Sequence, residues 1–414
     1  MAGAWRGIAV RFRGRRAAAL CGFGLVLVAW TACGESATSA EDRRPVPAGS
    51  LALDVLALGT VEERYAGSVA AVGGWAYTSS WAPRPIAAAN VVLVWNVSGL
   101  TPVIRDSLVI ADVHSTADLD VSEDSTLLMV ATGALAGGMV IYDIRDRGHP
   151  QFVSRFESAS TREEVQSAKF GRVNGRRYGF LSNRAAGRLV IVDLEDAARP
   201  REISSPRLGE PFVEQVIVRD GILFGAVWSQ GLAIYDVGGG GRGGSLANPV
   251  LLGRTEPTTH GTRAVWWYHD PVTGSRRYAF VSEEQFRGPG SPAAGDVYAI
   301  DVSDLTNPRI VAYYHPPVGG AHDIHVDEAR GYLYAALYDG GIRVLDVRGN
   351  LSDCSVSQRG LAGRCELGLM GREVAHAVVD QTPFIRSVAK SGNRLFASDM
   401  LQGLWMIDAT PLVR

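Results

Sequence analysis

The densest cluster of ionisable side chains in the sequence is Ala321-His322-Asp323-Ile324-His325. A neutral imidazole can ligate a metal or relay a proton, and a neighbouring carboxylate can orient it. Strand residues alternate sides, so His322 and His325 are expected on opposite faces, unable to share one ion. A second pattern is an Asp that closes one apolar run after another: Asp143, Asp193, Asp236, Asp301, Asp346 and Asp408, with Asn96 once in the same place. Spread through the chain, these carboxylates do not converge on a metal. Each is expected to hold a turn by accepting backbone N–H groups. The aromatic stretches Trp266-Trp267-Tyr268-His269 and Trp75, Trp81 and Trp95 could stack on a ligand, but such rings more often fill wedges between sheets. There is no Gly-x-Ser-x-Gly elbow and no His-Glu-x-x-His helix. Gly238–Gly244 lacks the lysine of a phosphate loop and reads as a flexible connector.

These residues hang on a repeat. Asn90–Asn96, Gly138–Asp143, Gly187–Asp193, Gly231–Asp236, Gly295–Asp301, Gly341–Asp346 and Gly403–Asp408 are copies of one β-forming apolar run. A period of about 45 residues with β-rich units marks propeller blades, not a helical solenoid. A further β segment precedes these runs, with hairpin turns such as Asp220-Gly221 and Gly392-Asn393. Each unit reads as four strands, the third apolar on both faces because neighbouring blades cover it. The expected fold class is therefore all-β, a seven-bladed β-propeller over residues 51–414. The chain ends just after the seventh third strand. Leu51–Leu58 is expected to close the ring by pairing into that last blade, which hides an open edge. Two long spacings mark insertions at 283–295 and 350–371, loops expected to make contacts.

Gly187-Arg-Leu-Val-Ile-Val-Asp193 and Gly295–Pro308 resemble the LVIVD repeat of bacterial and archaeal surface proteins, and matching units cover most of residues 60–410. The resemblance implies a propeller on an exported protein and supplies no catalytic residue. Units one and six depart from the pattern, through Asn96 and through a missing Asp-x-x-x-Pro turn.

First strands of propeller blades line the central channel. Aligning the units puts Ser68, Asp118, Ser167, Gln215, Arg263, Asp323 and Ser387 at one position. Gly67, Ala117, Gln166, Glu214, Thr262, His322 and Arg386 stand just before it. A polar ring of this kind describes either a wet pore or a ligand site. The candidate ligand-binding residues are Asp118, Glu214, Arg263, His322, Asp323 and Arg386. No cofactor is expected. The alternative is a divalent metal such as calcium, held by His322, Asp323 and Asp118 in a hydrolase or oxidoreductase. No catalytic residue is assigned.

Arg6, Arg11, Arg13, Arg15 and Arg16, followed by the apolar run Ala17–Trp30, read as an export signal over residues 1–33. The run is short and one-sidedly flanked for a membrane span. Its end, Trp30-Thr31-Ala32-Cys33-Gly34, resembles a lipobox, so Cys33 is expected to carry a lipid anchor, with plain signal cleavage as the alternative. Residues 34–50 read as a tether. These features predict an exported protein lipid-anchored to the bacterial envelope, at the outer membrane rather than the inner. Cys354 and Cys365 are expected to form a local disulfide there. A formal net charge of −2 argues against nucleic acid as a partner. The expected role is a monomeric ring that binds an envelope protein or surface ligand and meets the membrane through its lipid alone. Of the 41 basic residues, only Lys169 and Lys390 are lysines.

Overall fold

The computed structural model describes residues 49–83, 88–133, 137–378 and 383–413. The export signal, Cys33 and nearly all of the tether lie outside the described residues. No α-helix occurs among the described residues, and none of their helices is long and apolar enough to cross a membrane.

Seven sheets, each built on four antiparallel strands, in sequence order except in the last, surround a central channel. The inner strands are Arg64–Val72, Ser115–Val121, Ser167–Val173, Val213–Arg219, Gly261–Trp267, Asp323–Asp327 and Ile385–Ser391. The apolar runs read from the sequence are the third strands of blades one to seven. Gly138–Asp143 and Gly403–Asp408, for example, are buried up to their final Asp. They are apolar on both faces because the hydrophobic core is divided into wedges. Seven clusters each lie between two adjacent blades. Tyr77 and Val94 of blade one, for instance, meet Leu128 and Val140 of blade two. Each fully buried large side chain contributes about 1.5–3 kcal/mol.

The repeated acids hold turns. The carboxylates of Asp143, Asp193, Asp236, Asp301, Asp346 and Asp408 each accept the N–H two residues on, at 2.8–3.0 Å. Asn96 does the same through its amide oxygen to Ser98, so blade one keeps the geometry despite the altered residue. Asp236 goes further. It accepts N–H groups from Gly238, Gly239, Gly240, Arg242 and Gly244. The glycine-rich segment, expected to be a flexible connector, is instead wrapped around one carboxylate.

The N-terminal segment closes the ring, in two steps. Val55–Thr60 supplies the fourth strand of blade seven, antiparallel to Gly403–Asp408. Leu51–Ala52 turns aside and adds a parallel fifth strand to blade six, against Glu373–Ala377. Ser50 pins this end to Glu373 at 3.1 Å and to His376 at 3.0 Å.

Each insertion decorates a blade. The 350–371 segment carries the Cys354–Cys365 disulfide, with Cα atoms 5.9 Å apart. Its Cys365–Glu366 strand pairs parallel with the outer strand of blade five. The 283–295 segment turns inward. Ala294-Gly295 pairs with Gly319-Gly320, and a side chain at Gly320 would strike the carbonyl of Ala294.

Candidate functional site

The channel is built from the first strands, and a repeated irregularity decides what lines it. In blades one, two, four, five and seven, the pairing of the inner strand with the second strand slips by a residue close to the aligned polar position. Such a bulge leaves two residues facing one partner and re-aims a side chain. In blades two and seven two consecutive residues of the inner strand therefore reach the lumen, which strict alternation forbids; in blade six the pairing is regular, and His322 stands just before the strand begins at Asp323. Ala117 and Asp118, His322 and Asp323, and Arg386 and Ser387 all line the narrow part of the channel, with Ser68, Ser167, Gln215 and Arg263. This constriction encloses a cavity of about 20 Å³.

Its lower side is a closed network of charges. The Nε groups of Arg263 and Arg386 both donate to Nε2 of His322, at 3.0 and 3.3 Å. The histidine is thereby neutral, with its proton on Nδ1. That nitrogen is buried without a hydrogen-bond partner among the described residues. Burial, and then the two guanidinium groups, hold the His322 pKa well below its usual value. Arg263 also pairs with Glu214 and lies 3.6 Å from Glu284. Glu284 accepts the Tyr338 hydroxyl at 2.5 Å, and burial pushes its carboxyl upward. Tyr338 holds a left-handed backbone, φ 45°. Its ring packs edge-on against His322, 5.3 Å between centroids, and stacks on Phe286 of the inward-turned insertion at 5.2 Å. Phe286 continues to Trp81 and Phe384. Among the described residues, the narrow end of the channel thus runs into an aromatic plug.

On the other side of the constriction the channel widens into a vestibule of about 770 Å³. At its floor the ammonium of Lys169 reaches Asp118 at 2.9 Å. Asp118 also accepts the Ser167 hydroxyl at 2.8 Å. Burial would raise the Asp118 carboxyl, but Lys169 and this hydroxyl hold it below the usual range. Asp120 accepts the Phe170 N–H at 2.7 Å, and desolvation lifts it to about 6. Asp323 accepts the Ser387 hydroxyl at 2.7 Å and is likewise raised by desolvation. Above the floor the wall carries the partly exposed Val121, Phe170 and Ile217. The rim holds Trp266, whose indole donates to Glu328 at 2.9 Å beneath Arg219. His325 and His269 also line it, both lowered to about 4, chiefly by burial.

The candidate ligand-binding residues read from the sequence are thus at or beside the channel, but at different levels. Arg263, His322, Arg386 and Glu214 belong to the lower network. Asp118 and Asp323 belong to the vestibule floor. His325 stands higher on the wall, away from His322. Much of the polar ring serves to stitch blades together: Gln215 accepts the Val265 N–H at 3.1 Å, and Ser387 accepts that of Val69 at 3.3 Å. Sequence reasoning missed Lys169 and Asp120. Both stand two residues beyond the aligned ring on their strands, a spacing that keeps a residue on one face. Both of the chain's lysines line the vestibule. Among the described residues, no group of three or more His, Cys, Asp or Glu is arranged to hold a metal.

No protein-family model matches the chain, and no curated protein matches it. Among solved structures the chain is similar to Saccharomyces cerevisiae Sqt1, with a TM-score of 0.52 at 10% identity. That match covers 87% of this chain and 86% of the other. At that identity the likeness shows the fold alone.

Proposed function

We propose that this propeller is a binding module whose vestibule receives a small ligand, displayed on the cell envelope by a lipid on Cys33. The observation that carries the reading is the shape and lining of the channel. It is wide and partly apolar on one side, charged at its floor, and stoppered below by the His322 network and the Phe286 plug. Ligand pockets have this volume and this mixture of apolar wall and few polar groups. The repeat pattern of the LVIVD kind and the lipobox-like segment support an exported, anchored setting. A partner protein would meet the ring at its outer loops or at the vestibule rim. A cation-dependent hydrolase in the channel has weaker support: two guanidinium groups already point at His322.

The test is native mass spectrometry of the full chain isolated from its own envelope, beside an Ala71→Trp variant. Ala71 lines the vestibule and is only half-buried, so a larger side chain there fills the pocket. A small-molecule adduct on the wild type that the variant loses is expected. An adduct kept by the variant, or none on either, refutes the reading.

A further inference from the structure

The vestibule floor has an unbalanced charge. The lower network is balanced within itself, two arginines against Glu214 and Glu284. Above it, Asp118, Asp120 and Asp323 surround the single ammonium of Lys169. Asp118 takes that ammonium through both of its oxygens. Asp120 and Asp323 come from blades two and six. Asp120 accepts the Phe170 N–H; Asp323 accepts the Ser387 hydroxyl and the Ile324 N–H. An ionised carboxylate offers about four acceptor sites, so each keeps capacity for a donor.

The surroundings exclude an anion and favour a cation. The basic groups at the rim are already matched: Arg172 by Glu123, Arg177 by Asp124, Arg219 by Glu328 and Lys390 by Asp327. His269 and His325 are neutral at pH 7 and do not repel positive charge. In a chain with only two lysines among its basic residues, one of them stands at the floor. Its compact ammonium fills one position and leaves the neighbouring carboxylates uncovered, where a planar guanidinium would span them. Immediately above, the partly exposed Val121, Phe170 and Ile217 form an apolar band.

We propose that the vestibule binds a small amphipathic amine, its protonated head between Asp120 and Asp323 and its apolar stem along this band. The assignment rests on the vestibule being the ligand site, and it names the chemical class that site takes. Desolvated carboxylates facing too little positive charge are the groups that gain most from a bound ammonium.

The experiment is calorimetric titration of the full chain at pH 7.5 with 2-phenylethylamine, 2-phenylethanol, phenylacetate and calcium chloride. The amine is expected to bind at least tenfold more tightly than the alcohol, and phenylacetate not at all. Asp120→Asn and Asp323→Asn should each weaken the amine at least tenfold while circular dichroism stays unchanged. Equal binding of amine and alcohol, or an unchanged amine affinity in both variants, overturns the proposal. Calcium bound more tightly than the amine, and lost in both variants, overturns it in favour of a metal floor. Phenylacetate bound by the wild type but not by Ala71→Trp overturns the amine while leaving the vestibule as the ligand site. Silence from all four probes overturns the amine. Only the mass spectrum, through no adduct on either protein or one that Ala71→Trp keeps, would remove the ligand site itself.

Discussion

Replacing Asp120 with Asn should make the empty protein more stable at neutral pH. The carboxyl sits at the vestibule floor, beside Lys169 but also beside Asp118, and desolvation raises it from 3.8 to about 6. The unfolded chain carries the ordinary value. Below pH 3.8 both states hold the proton and the group is neutral in its effect. Between 3.8 and 6 the unfolded state ionises first. Above 6 the folded state bears the full cost of the charge. That cost is about 3 kcal/mol at 1.36 kcal/mol per pH unit, as an upper bound. Asp120 keeps some access to vestibule water, so about half of it, roughly 1–2 kcal/mol, is expected in practice. Asn retains an oxygen for the Phe170 N–H, so the ladder loses little. At pH 7.5 the variant should melt about 2–5 °C higher than wild type. At pH 4 the advantage should have vanished. The assay is scanning calorimetry across pH 4–8. A destabilised variant at pH 7.5, or a gain independent of pH, would refute the electrostatic reasoning. A charge kept at such a cost fits a group retained for binding.

Other consequences are as direct. A chain beginning at residue 61 lacks the fourth strand of blade seven and the strap on blade six. It should lose its cooperative melting transition or associate through the bared edge at Gly403–Asp408, seen by calorimetry and light scattering; an unchanged monomer would show the latch to be dispensable. Asp236→Ala strips five N–H groups of their acceptor and should cost about 2–4 kcal/mol in denaturant titration, with Asp236→Asn in between. Glu214→Gln leaves buried Arg263 with the more distant Glu284 and should destabilise by about 2–4 kcal/mol, so any binding defect of that variant must be read after its melting curve.

The blades were legible because each third strand is covered on both sides, which writes an unbroken apolar run into the sequence at every turn of the ring. Their Asp ends were legible too, since a carboxylate after a strand has an ordinary local use. Aligned inner-strand positions found the constriction. What alignment could not supply is the bulge, because a slip in pairing changes no residue type. For that reason Ala117 and Asp118 looked like members of two alternating rows when both reach the lumen, while His322 escapes alternation by standing just before its strand begins. Lys169 was visible as a rarity but not as a site: its meaning depends on Asp118 on the next blade. The two-residue strand Leu51–Ala52 has no periodicity to read. Phe286 was a single aromatic in a stretch rich in Gly and Pro, and only tertiary structure says that such a loop folds inward.

The closure of blade seven also sets a clock. Thr60 finds its partner in Gly403, so the strand synthesised near the beginning waits for the strand synthesised near the end. At 5–20 residues per second that delay is roughly 20–70 s. Until then the wedge between blades seven and one lacks its last strand and the ring has no final register. A chain built this way stays open and threadable through nearly the whole of its manufacture. It becomes a finished ring only when its last strand is available, on whichever side of a membrane that happens.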